Sequence, residues 1–201
     1  MKTMRILIMS VALSLSMSAM CQTAMKYDGK PSREAVQEAK RMKKDGWKVT
    51  MGEPPLERQL DDAYRYRYDR DEEGIRRYIV GVGMSHAENY DVARMQAEEV
   101  ARAEIGRNIG TEVTNTVNNM LVNTQLANDN AASKTIIDAV IKTVSSQHLS
   151  STEVVASAYR ELPNKNKEVQ IRLVAKSSEV RARAKNAARA ELESRGIKIN
   201  E

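Results

Sequence analysis

At 201 residues the chain is long enough for one domain with a proper core, yet it has no Phe and only 4% aromatics. Its core must therefore be built from Val, Ile, Leu, Met, Ala and a few Tyr, small side chains that let helices approach closely but bury little area each. The formal charge is +5, from 32 cations against 27 acids, which gives no strong argument for nucleic acid or an anionic membrane, and a single cysteine excludes a disulfide framework.

Residues 1–21 read as a secretory signal. Lys2 and Arg5 form its positive start, and Ile6 to Leu15 form an apolar stretch too short to span a bilayer. Ala19-Met20-Cys21 places small residues at minus three and minus one of a cleavage site, making Gln22 the first mature residue. The other route is lipidation of Cys21. A lipobox asks for a small residue just before the cysteine and an aliphatic one three before it, where Met20 and Ser18 stand. Plain cleavage is the expectation, and membrane association follows only from a lipidated Cys21. Loss of Lys2 and Arg5 leaves 30 cations against 27 acids, a formal +3, and cleavage leaves no thiol for catalysis.

Residues 22–31 form a flexible lead, and a single domain is expected over 32–201. Ser32 suits a helix N-cap, although Ala35 rather than Glu holds the third position of a capping box. Glu34 near the start and Lys43 and Lys44 near the end complement the helix dipole, with Ala35, Val36, Ala39 and Met42 as the apolar stripe and Gly46 as the stop. Trp47 to Met51 reads as a short strand. After the stiff Gly52-Glu-Pro-Pro connection, a second helix starts at Leu56 and carries Leu60, Ala63, Tyr64 and Tyr68. Arg70 to Gly74 is a polar turn leading to a strand over Arg77–Met84.

A long helix begins near Tyr90, with a stripe of Ala93, Ala97, Ala101, Ile105, Ile109, Val113, Val117 and Leu121. Four-residue spacing overshoots the 3.6-residue turn, so this stripe winds round the helix and its two ends must meet different partners. Gly106 and Gly110 are candidate breaks or kinks. The Asn-rich stretch 118–132 is expected to contain a loop. Ile136, Ile137, Val140, Ile141 and Val144 then mark another amphipathic helix. Thr152–Leu162 and Glu168–Lys176 flank Pro163-Asn-Lys-Asn-Lys167 as an antiparallel hairpin. Val169, Ile171, Leu173 and Ala175 face the core, while Gln170, Arg172 and Lys176 face water. The last helix covers about 178–195, with Val180, Ala184, Ala187, Ala188 and Leu192 buried and Gly196 at the C-cap.

The strand at Tyr78–Met84 has one bulky face and one nearly bare, the latter holding Gly81 and Gly83. Such glycines either admit a phosphate or let a helix pack closely. A dinucleotide fingerprint needs a third glycine where His86 stands, and an acidic ribose partner after a second strand roughly 20 residues on, where the helix continues instead. A P-loop needs Gly-Lys-Ser/Thr, which is missing. Helix packing is the reading, so no cofactor is expected.

Gly81, Gly83 and Ser85 followed by Ala93, Ala97, Ala101, Arg102, Glu104 and Ile105 resemble the LPP-twenty family of small bacterial envelope lipoproteins. The hairpin and C-terminal helix also suit that family, so the resemblance covers about 75–195. It implies an envelope protein with an α+β domain and supplies no catalytic residues.

Other chemistry is thin. Asp69-x-Asp71-x-Glu73-Gly74 imitates the start of a calcium loop, but the twelfth position, which needs a bidentate Glu, is Val80. His86 and His148 are the only histidines and have no ligand-spaced partner, so no metal site is expected. Ser85 beside His86 lacks a nucleophile elbow and reads as a cap, with Asn89 or Asp91 as the N-cap of the long helix. Glu98, Glu99, Arg102 and Glu104 read as a solvated charged face. Tyr64-Arg-Tyr-Arg-Tyr68 interleaves rings and cations. Tyr64 and Tyr68 share a helix face and Tyr66 diverges, so rings packed on the sheet are expected ahead of ligand stacking.

The sequence thus predicts an α+β domain with an antiparallel sheet of about four strands against several helices. The expected role is that of a noncatalytic envelope protein, exported to the periplasm or outer membrane, acting through protein contacts or as a structural component. The partner is an unknown envelope protein rather than nucleic acid, and homo-oligomerisation is left open. The alternative is a small-ligand or glycan-binding module using Tyr64, Tyr66 and Tyr68.

Overall fold

The structure is a computed structural model that describes residues 29–122, 130–148 and 151–197. The signal region 1–21, the lead as far as residue 28 and part of the Asn-rich loop lie outside the described residues. A compact unit begins at Pro31. Its elements are α1 (Arg33–Lys44), α2 (Leu56–Tyr68), β1 (Tyr78–Ala87), α3 (Tyr90–Leu121), α4 (Asn130–His148), β2 (Glu153–Glu161), β3 (Lys167–Lys176) and α5 (Ser177–Ser194).

The fold is α+β, and its antiparallel sheet has three strands among the described residues, in the order β1-β3-β2. Four were expected. The Trp47–Met51 segment makes one residue pair instead, Lys48 N–H to Tyr159 O at 2.7 Å and Tyr159 N–H to Lys48 O at 2.8 Å, along the β2 edge. It peels away because Trp47 is buried against α1 and α2. A turn closed by Glu53 N–H to Thr50 O, with Gly52 at φ +89°, then leads into Pro54-Pro55, which has no N–H to continue a ladder.

Two cores flank the sheet. On one face, Val169, Ile171, Leu173 and Ala175 of β3 join Ile79 of β1 and the inner stripes of α3, α4 and α5. All eight residues of the expected α3 stripe are buried, and each four-residue step turns the stripe by about 40°. Its first half lies on the sheet. Its second half meets other helices, as the Arg181–Glu112 ion pair to α5 shows at 3.0 Å. α3 runs unbroken through Gly106 and Gly110, the two candidate positions for a break or kink. The penalty of a helical glycine, about 1 kcal/mol each, is small beside the burial of Ile105, Ile109 and Val113 around them.

The other sheet face is not the wet face expected. α1 and α2 cover it over β2 and β3, closing a second core of Ala35, Ala39, Trp47, Leu56, Leu60 and Ala158. Val36 of the expected α1 stripe is 42% exposed, since α1 buries only the arc of Ala35 and Ala39. Two buried polar side chains of α2 fasten this layer. Gln59 accepts from Ser157 N–H of β2 at 2.7 Å and donates to Pro54 O at 2.8 Å. Asp61 accepts from Ser32 N–H at 2.8 Å, just where Ser32 Oγ caps α1 by accepting from Ala35 N–H.

α5 ends in a left-handed cap. Gly196, at φ +69°, donates to Glu193 O at 3.0 Å, and Ile197 donates to Leu192 O at 3.0 Å and packs on the main core. Gly196→Ala is expected to cost about 1 kcal/mol in a denaturant melt, the strain of a Cβ at positive φ, because no neighbour lies within 4 Å of that position.

Candidate functional site

Two places drew attention in the sequence, the glycine face of β1 and the tyrosine run of α2. On β1, a Cβ built at Gly81 would lie 2.3 Å from Ala101 O and 2.7 Å from Ile105 Cγ1. One at Gly83 would lie 1.9 Å from Ala97 O and 2.5 Å from Ala101 N. The backbone of α3 thus occupies the space a phosphate would need. Ser85 does not cap α3. It lies within β1 and donates to Gln96 Oε1 at 2.8 Å, while Asn89 Oδ1 accepts from Asp91 N–H as the N-cap. Ser85 points to α3 because odd-numbered residues of β1 share that face.

Side chains of α3 also reach the outer edge of β1. Val82 N–H donates to Glu104 Oε2 at 2.6 Å, and Asn108 Nδ2 donates to Val80 O at 3.2 Å. Glu104 is therefore not part of the solvated face expected of it. Its target lies 22 positions upstream, with no local signal. Arg94, Glu98, Glu99 and Arg102 do form a ladder of ion pairs along one flank of α3. The opposite flank is different. Val92 and Val100 are exposed there, one turn to either side of the Gln96 that reaches β1, while Met95 and Ala103 are exposed on the outward face with Glu99 between them. Met84, on the adjoining strand, is 52% exposed.

The three tyrosines are not gathered on one surface. Tyr64 and Tyr68 stack at 6.3 Å between centroids, whereas Tyr66 turns away to meet Tyr78 edge-on at 4.6 Å. Only Tyr68 is largely open. The Tyr64 hydroxyl donates to Glu38 Oε2 at 2.5 Å, and Arg172 donates to Glu38 Oε1 at 2.7 Å, with its guanidinium 5.9 Å from the Tyr64 ring. Glu38 thus ties α1 to α2 and β3 at once. Beside Arg172 lies a cavity of about 10 Å³, at the limit of room for one water.

The electrostatics of this cluster fix a pH response. Burial opposes charge on Glu38, but the Tyr64 hydrogen bond and the Arg172 and Arg41 charges outweigh it and hold the carboxyl below its ordinary value of 4.5. The same hydrogen bond, with burial, pushes Tyr64 up. Asp61 is likewise lowered, burial being outweighed by its bonds from Ser32 and by Arg65. A carboxylate depressed on folding contributes stability above its unfolded pKa and loses it as pH falls through the folded one. The melting temperature is therefore expected to fall as pH drops below about 4.5. A Glu38→Gln variant is expected to start lower at neutral pH and to decline less, which melts across an acid series would show.

Asp71, read from sequence as part of an imitation calcium loop, folds back on its own turn. Its Oδ1 accepts from Glu73 N–H and Ile75 N–H, at 3.2 and 2.8 Å, and its Oδ2 meets Arg181 at 3.5 Å. Among the described residues no group of three or more His, Cys, Asp or Glu is placed to hold a metal ion, and no helix is long and apolar enough to cross a membrane. His86 is exposed at the end of β1 opposite Glu168, and the side chain of His148 lies outside the described residues. Comparison with protein-family models, curated proteins and solved structures finds no match.

Proposed function

We propose that this chain is a noncatalytic envelope protein that works by contacting other proteins. The observation that carries this reading is the apolar flank of α3, Val92 and Val100, lying beside the outer edge of β1. Among the described residues β1 is an edge strand on whose outer backbone α3 engages Val82 N–H and Val80 O, which leaves room along that edge for a partner. Exposed apolar side chains next to such an edge suit protein contact.

Two further features support it. The resemblance to the LPP-twenty family, with the secretory signal read at 1–21, supports export to the periplasm or outer membrane. The engagement of Tyr64 by Glu38 and of Tyr66 by Tyr78 favours rings that hold α2 to α1 and to β1 over a ligand platform. Capture from envelope extracts tests the reading. Wild-type protein is expected to retain an envelope protein that a Val100→Lys variant, equally folded, does not. Equal capture by both would remove the α3 flank from the account. Calorimetric titration with NAD, ATP, zinc or calcium is expected to be flat, and micromolar binding of any of them would contradict the noncatalytic, cofactor-free reading.

A further inference from the structure

The near balance of charge over the whole chain hides a local imbalance on α1. Set on a helical wheel, Arg33, Gln37, Lys40, Arg41 and Lys44 fall within an arc of about 100°. That arc lies opposite the buried Ala35 and Ala39, so it faces outward. The other charges of α1 are engaged by the body of the domain. Glu38 is turned inward to Tyr64 and Arg172, and Lys43 is paired with Glu57 at 2.5 Å. Glu34 alone flanks the arc with negative charge. Among the described residues no ion pair engages Arg33, Lys40, Arg41 or Lys44, in contrast to Arg65, Arg94, Arg102, Arg160, Arg172 and Arg181. Gln37, Lys40, Arg41 and Lys44 line a shallow depression on the surface.

We infer that the outer arc of α1 docks on an anionic lipid surface. The charge is complementary, and three of the four cations, Lys40, Arg41 and Lys44, lie in the last two turns of α1. α1 is also the first element after residues 1–21, the one segment of the sequence with an apolar run. A chain held at a bilayer through a lipidated Cys21 has α1 as the described element nearest that anchor in sequence. A basic residue near an anionic surface contributes on the order of 1 kcal/mol, so four on one arc give measurable but salt-sensitive attachment. The location in the envelope rests on the proposed function; the lipid contact itself does not.

Vesicle co-sedimentation of the full chain tests it. Phosphatidylcholine vesicles doped with phosphatidylglycerol are the probe, with undoped vesicles as reference. Lys40→Glu, Arg41→Glu and Lys44→Glu combined are expected to lower the partition coefficient at least about tenfold. A control with Lys134→Glu, Lys142→Glu and Lys185→Glu changes net charge equally and is expected to bind within about twofold of wild type. Both keep residues 1–30 unchanged, so adhesion of the leader cancels, and unchanged circular dichroism shows that both fold. Wild-type binding is expected to vanish at high salt. The inference is overturned if the two variants lose binding alike, if the α1 variant binds as wild type, or if undoped vesicles bind equally well. Preference for heparin or DNA over vesicles at equal charge would likewise assign the arc to another polyanion. None of these outcomes bears on capture through the α3 flank.

Discussion

Gly83→Val is expected to destabilise this protein more than Gly81→Val or Ser85→Ala on the same strand. The new Cβ alone would sit 1.9 Å from Ala97 O and 2.5 Å from Ala101 N. Both are backbone atoms in the middle of a 32-residue helix, so neither can rotate aside as a side chain would. α3 must lift from the sheet, and in lifting it exposes Ala97, Ala101 and Ile105, all fully buried. Overpacking of this kind costs on the order of 1–3 kcal/mol, and contact with backbone puts Gly83 at the upper end. Gly81→Val should follow closely, because one of its two nearest atoms is the Ile105 side chain, which has some freedom. Ser85→Ala loses one exposed hydrogen bond to Gln96 and should cost about 1 kcal/mol or less. Denaturant melts of the three variants give the ranking. Glycine variants that melt like wild type would contradict the close seat of α3.

The second large effect is expected at Arg172. Its side chain is only 13% exposed and its partner Glu38 20%. Arg172→Met keeps the apolar stem over Tyr64 but leaves Glu38 with a hydroxyl in place of a guanidinium. Removing one partner of a largely buried pair leaves an uncompensated charge, so about 3 kcal/mol is expected at neutral pH. The double variant with Glu38→Gln is expected to be less destabilised than the sum of the two singles, since the stranded charge is gone. Melts of the four proteins in that cycle decide it, and strict additivity would mean that the pair contributes nothing specific.

How much of this was legible in the sequence depends on the range of each interaction. The α3 stripe, the core-facing residues of β3 and the Gly196 cap are periodic or local signals, and they read correctly down to named residues. The divergence of Tyr66 from Tyr64 and Tyr68 follows from helical spacing in the same way. Trp47–Met51 was misread because its β-forming residues give no hint that Trp47 must enter the α1–α2 core. Arg172 was placed in water because alternation along β3 says nothing of Glu38, 134 positions away. Glu104 reads as one more charge on a charged helix until β1 supplies the N–H it binds. In each case the deciding partner is remote in sequence, and only the fold brings it near.

The central claim is that the protein acts through the α3 flank beside β1. Photo-crosslinking in its host cell tests this most directly, with the crosslinker placed either at Val92 on that flank or at Lys185 on the outer side of α5. The account predicts a discrete adduct with another envelope protein from position 92, lost when Val100→Lys is added, and none from position 185. Adducts that form equally from both positions, or only from 185, would contradict it.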